Sequence, residues 1–163
     1  MANWLDTALD VVKQVQRATQ ERERGTGRTR KKSSPRTRRV DHGVRVEYAP
    51  ELDGDPDPGE VVWTWVPYQD DPNRGKDRPV VIIGRTGTDL AGVPMTSKGK
   101  RRDDHVPVGS GSWDRRGRPS YAKVDRLLTI DPDDVRREGA ILDRGRFDDV
   151  VGRLGRYHEL VRA

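Results

Sequence analysis

The side chains best suited to chemistry here are an arginine, a pair of hydroxyls and a carboxylate, each close to the end of a strand-like segment. Arg78-Pro79 opens the apolar run Val80-Val81-Ile82-Ile83-Gly84, directly after a polar stretch from Tyr68 to Asp77 rich in Asp, Pro and Gly. Met95-Thr96-Ser97-Lys98 ends a further short strand, and Lys123-Val124-Asp125 ends another. Metal chemistry has nowhere to gather, because His42, His105 and His158 lack paired spacing and the chain has no cysteine. A serine hydrolase lacks its nucleophile elbow, and no loop ends in the Gly-Lys-Ser/Thr of a phosphate-binding motif. A reaction run from these groups should need neither metal nor cofactor. RNA offers one: the ribose 2′-hydroxyl attacks its own phosphate, so the nucleophile arrives attached to the substrate. The protein then supplies a base, cationic donors for the phosphorane and a proton for the leaving oxygen.

The elements that must hold these groups can be read from periodicity. Val44, Val46 and Tyr48 alternate like a strand, and Glu51 to Gly59 is an acidic, proline-containing turn. Glu60 to Pro67 is a strand in which Trp63 and Trp65 share one side, for core packing or for base stacking. After Val80 to Gly84, the turn Thr86-Gly87-Thr88-Asp89 leads to a strand over Leu90 to Met95. Lys98 to Asp104 is a charged loop, His105 to Val108 a short strand, and Gly109 to Pro119 a glycine-rich loop carrying Trp113. Ser120 to Asp125 forms the last clear strand, which Leu127 to Ile130 extends or follows as a separate pairing. Asp131-Pro132 starts a short helix, and Phe147, Val150, Val151, Leu154 and Val161 fall on one side of a terminal helix. The expected fold is mainly β (α+β): a small SH3-like barrel of five to six strands with C-terminal helices and an N-terminal helical and disordered extension.

Composition divides the chain. Only 31% of residues are hydrophobic and 36% are charged, so part of the sequence should lie outside any core. Arg22 to Arg39 carries a net +8 while the whole chain carries +5, leaving −3 elsewhere. The expected organisation is an amphipathic helix over 1–24, a basic disordered linker over 25–42 and the barrel domain over 43–163. The helix would pack on the domain or a partner subunit, lie on a membrane surface, or contact nucleic acid or another protein. The linker is a phosphate-binding tail or simply a solvated connector. No run is long and apolar enough to span a bilayer, and Asp6 and Asp10 break up the first apolar stretch, so a cytoplasmic protein is expected.

The order of motifs resembles the PemK/MazF family of toxin ribonucleases, in its actinobacterial branch. Gly59-Glu60-Val61-Val62-Trp63, then Arg78-Pro79 before Val/Ile, matches the family's first signature. Met95-Thr96-Ser97 matches the second. Lys123-Val124-Asp125 with Thr129-Ile130-Asp131 is similar to the third, with lysine where some relatives carry arginine, and Trp113 to Gly117 resembles a loop of the actinobacterial members. The resemblance implies a CcdB/PemK-type barrel, a homodimer, an RNA substrate, a cognate antitoxin, no cofactor and no membrane partner. It implies that Arg78 braces the phosphorane, that Thr96 and Ser97 hold phosphate and ribose, and that Asp125 is the base or a ribose ligand. Lys76, Lys98, Lys123, His105 and Trp113 would line the RNA path, under a gate from Tyr68 to Asp77. Structural uses compete: a strand-start ion pair for Arg78, a turn cap for Thr96 and Ser97, an ion pair for Asp125, and packing for His105 and Trp113. A non-catalytic RNA- or protein-binding module, or a gyrase poison on the same barrel, is the alternative function.

Overall fold

The computed structural model describes residues 43–162. The segment expected to be a helix over 1–24 and a linker over 25–42 lies outside them. Nine strands occur among the described residues: β1 Val44–Val46, β2 Glu60–Pro67, β3 Gly75–Thr86, β4 Asp89–Thr96, β5 His105–Gly109, β6 Ser120–Lys123, β7 Leu128–Ile130, β8 Arg137–Ile141 and β9 Leu160–Arg162. One α-helix, α1 (Arg144–Leu154), and a short 3-10 turn at Pro132–Asp134 complete the set. The mainly β expectation holds, but two strands, β8 and β9, carry too few apolar residues to show in the sequence. Val161, expected on the terminal helix, belongs to β9 and is 55% exposed.

β3 organises the sheet because it is buried on both faces, which is why its apolar run does not alternate with polar residues. Val81 and Ile83 join a core packed beneath α1 with Val61, Val93, Phe147, Val150 and Leu154. Val80 and Ile82 join a second core with Val62, Val66, Leu90, Leu128 and Ile130. Each fully buried side chain of this size stabilises the fold by about 1.5–3 kcal/mol. Asp143 caps α1, its side chain accepting from the N–H groups of Gly145 and Arg146.

The feature that positions the site is a fork. β3 and β4 pair from Thr86/Asp89 as far as Val80/Pro94. Beyond that point β3 continues with β2 alone, through Trp63/Pro79 and Thr64/Arg78. β4 turns to β6, pairing Met95 with Ala122 and Thr96 with Tyr121. A proline stands on each arm at the divergence, Pro79 and Pro94, and neither can donate a ladder hydrogen bond. The sheet opens where its sequence cannot keep it closed. β3 also begins at Gly75, so Lys76 and Asp77 lie in the strand and the preceding loop is shorter than expected.

Candidate functional site

Register decides which side chains meet at the fork. Val80 and Pro94 face each other, so Arg78 and Thr96, each two residues further along its arm, project from the same face. Tyr121 opposite Thr96, then Lys123 opposite His105, extends that face across β6 and β5. Asp125 follows in the turn before β7.

Two grooves meet here. The first, of about 790 Å³, runs along Trp63, Lys76, Ser97, Trp113 and the Asp114–Arg118 loop. The second, of about 520 Å³, is lined by Tyr68, Gln69, His105, Lys123, Asp125 and Arg126. Arg78, Met95, Thr96 and Lys98 line both. The expected catalytic trio of Arg78, Thr96 and Asp125 is thus gathered along the second groove.

Individual placements sharpen this picture. Arg78 is half-buried, and among the described residues its side chain has no acid within 4.0 Å and no hydrogen-bond acceptor. The strand-start ion pair considered for it is not formed. The Thr96 hydroxyl accepts from the Lys98 N–H at 3.1 Å, so it does cap a turn, while its own proton stays available. Ser97 is half-buried on the first groove. Asp125 Oδ2 accepts from Gln69 at 3.5 Å, bringing the Tyr68–Arg74 loop over the site, while Oδ1 is buried with no hydrogen-bond partner. The His105 ring is engaged with Asp104 Oδ1 at 3.1 Å. Burial raises the Asp104 carboxyl, but the His105 hydrogen bond and the charges of His105 and Arg102 outweigh it and hold the group below its ordinary range.

Trp113 is 4% exposed, packed in the α1-side core, and donates its indole N–H to Ser120 Oγ at 3.1 Å. It forms groove wall, and its ring is not presented for stacking. Trp63 is half-buried and spans the same wall, donating to the Trp113 carbonyl at 3.1 Å. The loop beyond Trp113 is wound on Asp114, whose carboxylate accepts from the Arg116 N–H and from Arg118 Nε, both at 2.8 Å.

The field along the first groove is positive. Its acids, Asp77 and Asp114, are both neutralised, Asp77 by Arg136 at 2.8 Å and Asp114 by Arg118. Lys76, Arg78, Lys98, Arg115 and Arg116 remain to act on solvent or ligand. The charge of Arg78, then partial burial, then the charge of Lys98 hold the Lys76 ammonium below its ordinary value. Among the described residues no three of His, Asp and Glu converge as metal ligands would. What the arrangement can do is bind a polyanion and concentrate positive charge at one point, beside a carboxylate and two hydroxyls.

A family model for the PemK-like, MazF-like toxin of type II toxin–antitoxin systems matches residues 57–157, more than half of the chain. The chain belongs to this toxin family. Solved structures of similar fold include MazF from Deinococcus radiodurans, 23% identical over 64% of this chain and 96% of that one, with a TM-score of 0.51. A MazE–MazF structure from the same organism is 22% identical over 64% and 96%, with a TM-score of 0.50. The Mycobacterium tuberculosis toxin MazF-mt6 is 20% identical over 60% and 94%, with a TM-score of 0.47. No curated protein matches the chain.

Set within this toxin family, the matched span covers the whole fork and both grooves. Sequence reasoning missed Arg118, Arg136 and Arg126. The first two are ordinary surface arginines until the fold sets them on the first groove. Arg126, next to Asp125, carried no periodic signal, yet it is half-buried on the second groove. Burial lowers its guanidinium's hold on a proton, Asp125 opposes this, and Arg78 adds to it. Among the described residues no helix is long and apolar enough to cross a membrane.

Proposed function

We propose that this toxin is a metal-independent endoribonuclease that cuts single-stranded RNA by attack of a 2′-hydroxyl on the adjacent phosphate. The observation that carries the reading is Arg78: a half-buried guanidinium without an acid, at the open end of the fork, in one groove with Thr96 and Asp125. A charge kept partly out of water with nothing to neutralise it favours an anionic ligand. In the proposed step Asp125 takes the 2′-hydroxyl proton, the 2′ oxygen bonds to phosphorus and the bond to the 5′ oxygen breaks. Lys123 gives that oxygen its proton, leaving a cyclic phosphate and a 5′-hydroxyl end. Arg78 carries the charge that develops on the phosphorane, and Thr96 and Ser97 orient phosphate and ribose. Lys76 and Lys98 hold flanking phosphates, His105 borders the path, and Trp113 shapes its wall.

The working form is a homodimer in the cytoplasm. A cognate antitoxin silences it by laying an acidic segment along the basic groove; the similar MazF of Deinococcus radiodurans has a structure together with MazE. The test is incubation of the purified protein with mixed-sequence RNA in a chelator, followed by mapping of fragment ends. Fragments with 5′-hydroxyl ends are expected, and Arg78→Ala should slow their formation about 10²–10³-fold, a barrier increase of about 2.7–4 kcal/mol. Intact RNA with wild-type protein, or equal cutting by Arg78→Ala, would refute the assignment.

A further inference from the structure

We propose that Arg126 is a second ligand for the scissile phosphate, its guanidinium joining that of Arg78 on the non-bridging oxygens; this rests on the endoribonuclease reading above. Arg126 belongs to the tight turn between β6 and β7, where its N–H donates to the Lys123 carbonyl at 3.2 Å. Its side chain is half-buried and lines the second groove with Arg78, Thr96 and Asp125. Among the described residues neither Arg78 nor Arg126 has a carboxylate within 4.0 Å or a side-chain hydrogen bond. Neither guanidinium therefore pins another element of the fold. The largest penalty on the Arg126 charge is its burial; the nearby carboxylate of Asp125 opposes this, and the like charge of Arg78 adds to the penalty, leaving the guanidinium less favourably held than in water.

A guanidinium drawn partly out of water beside a like charge costs stability, and an anion bound between the two offsets both the burial and the repulsion. A phosphodiester fits the vacancy in charge. It offers two non-bridging oxygens, and its negative charge grows as the phosphorane forms. Two planar forks, one from β3 and one from the β6–β7 turn, bring twice the charge and twice the donors that a single arginine would to those oxygens. Arg126 transfers no proton in this scheme. The 2′ proton goes to Asp125, and the 5′ oxygen is protonated as above.

The experiment uses the full chain and the variants Arg126→Ala and Arg126→Lys, melted with and without inorganic phosphate. The variants are also assayed for RNA cleavage and for binding of a 2′-deoxy oligonucleotide of the same sequence. Without phosphate, Arg126→Ala should melt about 2–4 °C above wild type, because the cost of burying its charge beside Arg78 is removed. Phosphate should raise the wild-type Tm and leave Arg126→Ala nearly unmoved, with Arg126→Lys between them. Cleavage by Arg126→Ala should fall about 10²-fold, with a much smaller loss of affinity for the uncleavable strand. A structural arginine would give the opposite stability change, so a lower Tm for Arg126→Ala overturns the proposal. An undiminished phosphate shift or undiminished cleavage in that variant does so too. Should the wild type cut no RNA, the parent reading fails by itself. The melting data then still decide whether Arg126 completes a phosphate site.

Discussion

Arg78 and Asp114 show opposite uses of charge in one groove. The Arg78 side chain holds nothing, whereas Asp114 holds an entire loop through the Arg116 N–H and the Arg118 guanidinium. The Arg116 N–H, against the contrary effect of burial and with Arg118 assisting, keeps the Asp114 carboxyl below its ordinary 3.8. A carboxylate whose folded pKa is depressed contributes stability that is full above the unfolded value and is lost as pH falls through the folded one. Asp114→Asn should therefore melt below wild type at neutral pH. The gap should close as the pH drops below about 4, near the unfolded pKa, which parallel thermal melts across pH would reveal. A pH-independent gap would mean that the charge of Asp114 is not what holds the loop. Legibility in the sequence ran along the same division. Arg78, Thr96 and Asp125 stood out because each closes or opens an apolar strand, while Arg126 and Arg136 were hidden because their value depends on partners distant in the chain.

Strand pairing, more than any single side chain, builds the opening. β3 has to serve β2 along one half and β1 along the other, with β4 on its opposite edge until the fork. The change of partner is marked by a bulge near Gly84, where a Cβ would run into the Arg45 carbonyl oxygen. Gly84→Ala must push β1 off β3, and with it β9, which among the described residues pairs only with β1. The expected cost is about 1–3 kcal/mol, as for other overpacked positions, read from denaturant unfolding. An unchanged midpoint would show that β1 contributes little. Cleavage at the distant fork should survive in the fraction that remains folded. The turn bearing Asp125 is braced separately, by the Val124 N–H donating to the Asp104 backbone carbonyl at 2.9 Å and by the His158 ring against the Val124 carbonyl at 3.1 Å. β8 and β9 escaped the sequence reading because edge strands with polar or exposed residues lack the alternation that reveals buried ones.

For the whole molecule, charge is separated between a basic stretch at Arg22 to Arg39 and a domain whose positive groups are focused along the grooves. These two sources of phosphate affinity should differ in kind. A chain starting at Val40 should keep its cleavage pattern but bind RNA with a shallower salt dependence, each lost phosphate contact removing about 0.7 from the slope of log K against log salt. Titrations of the full and shortened proteins at several salt concentrations measure this directly. An identical slope would show that the basic stretch makes no phosphate contact.

The amino-acid order by itself determined the motif set, the family resemblance, the mainly β character and the apolar run from Val80 to Gly84. Those depend on local rules: apolar runs, proline and glycine placement, and short spacings between reactive groups. Only the tertiary structure decided that Arg78 stands without an acid, that Trp113 is wall instead of platform, and that Arg126 shares a groove with Arg78. These are facts about which distant residues do or do not reach one another, and they are set by where β3 and β4 part company. Two prolines fix that point in the sequence, but the partners each arm takes afterwards are chosen by the packing of both cores.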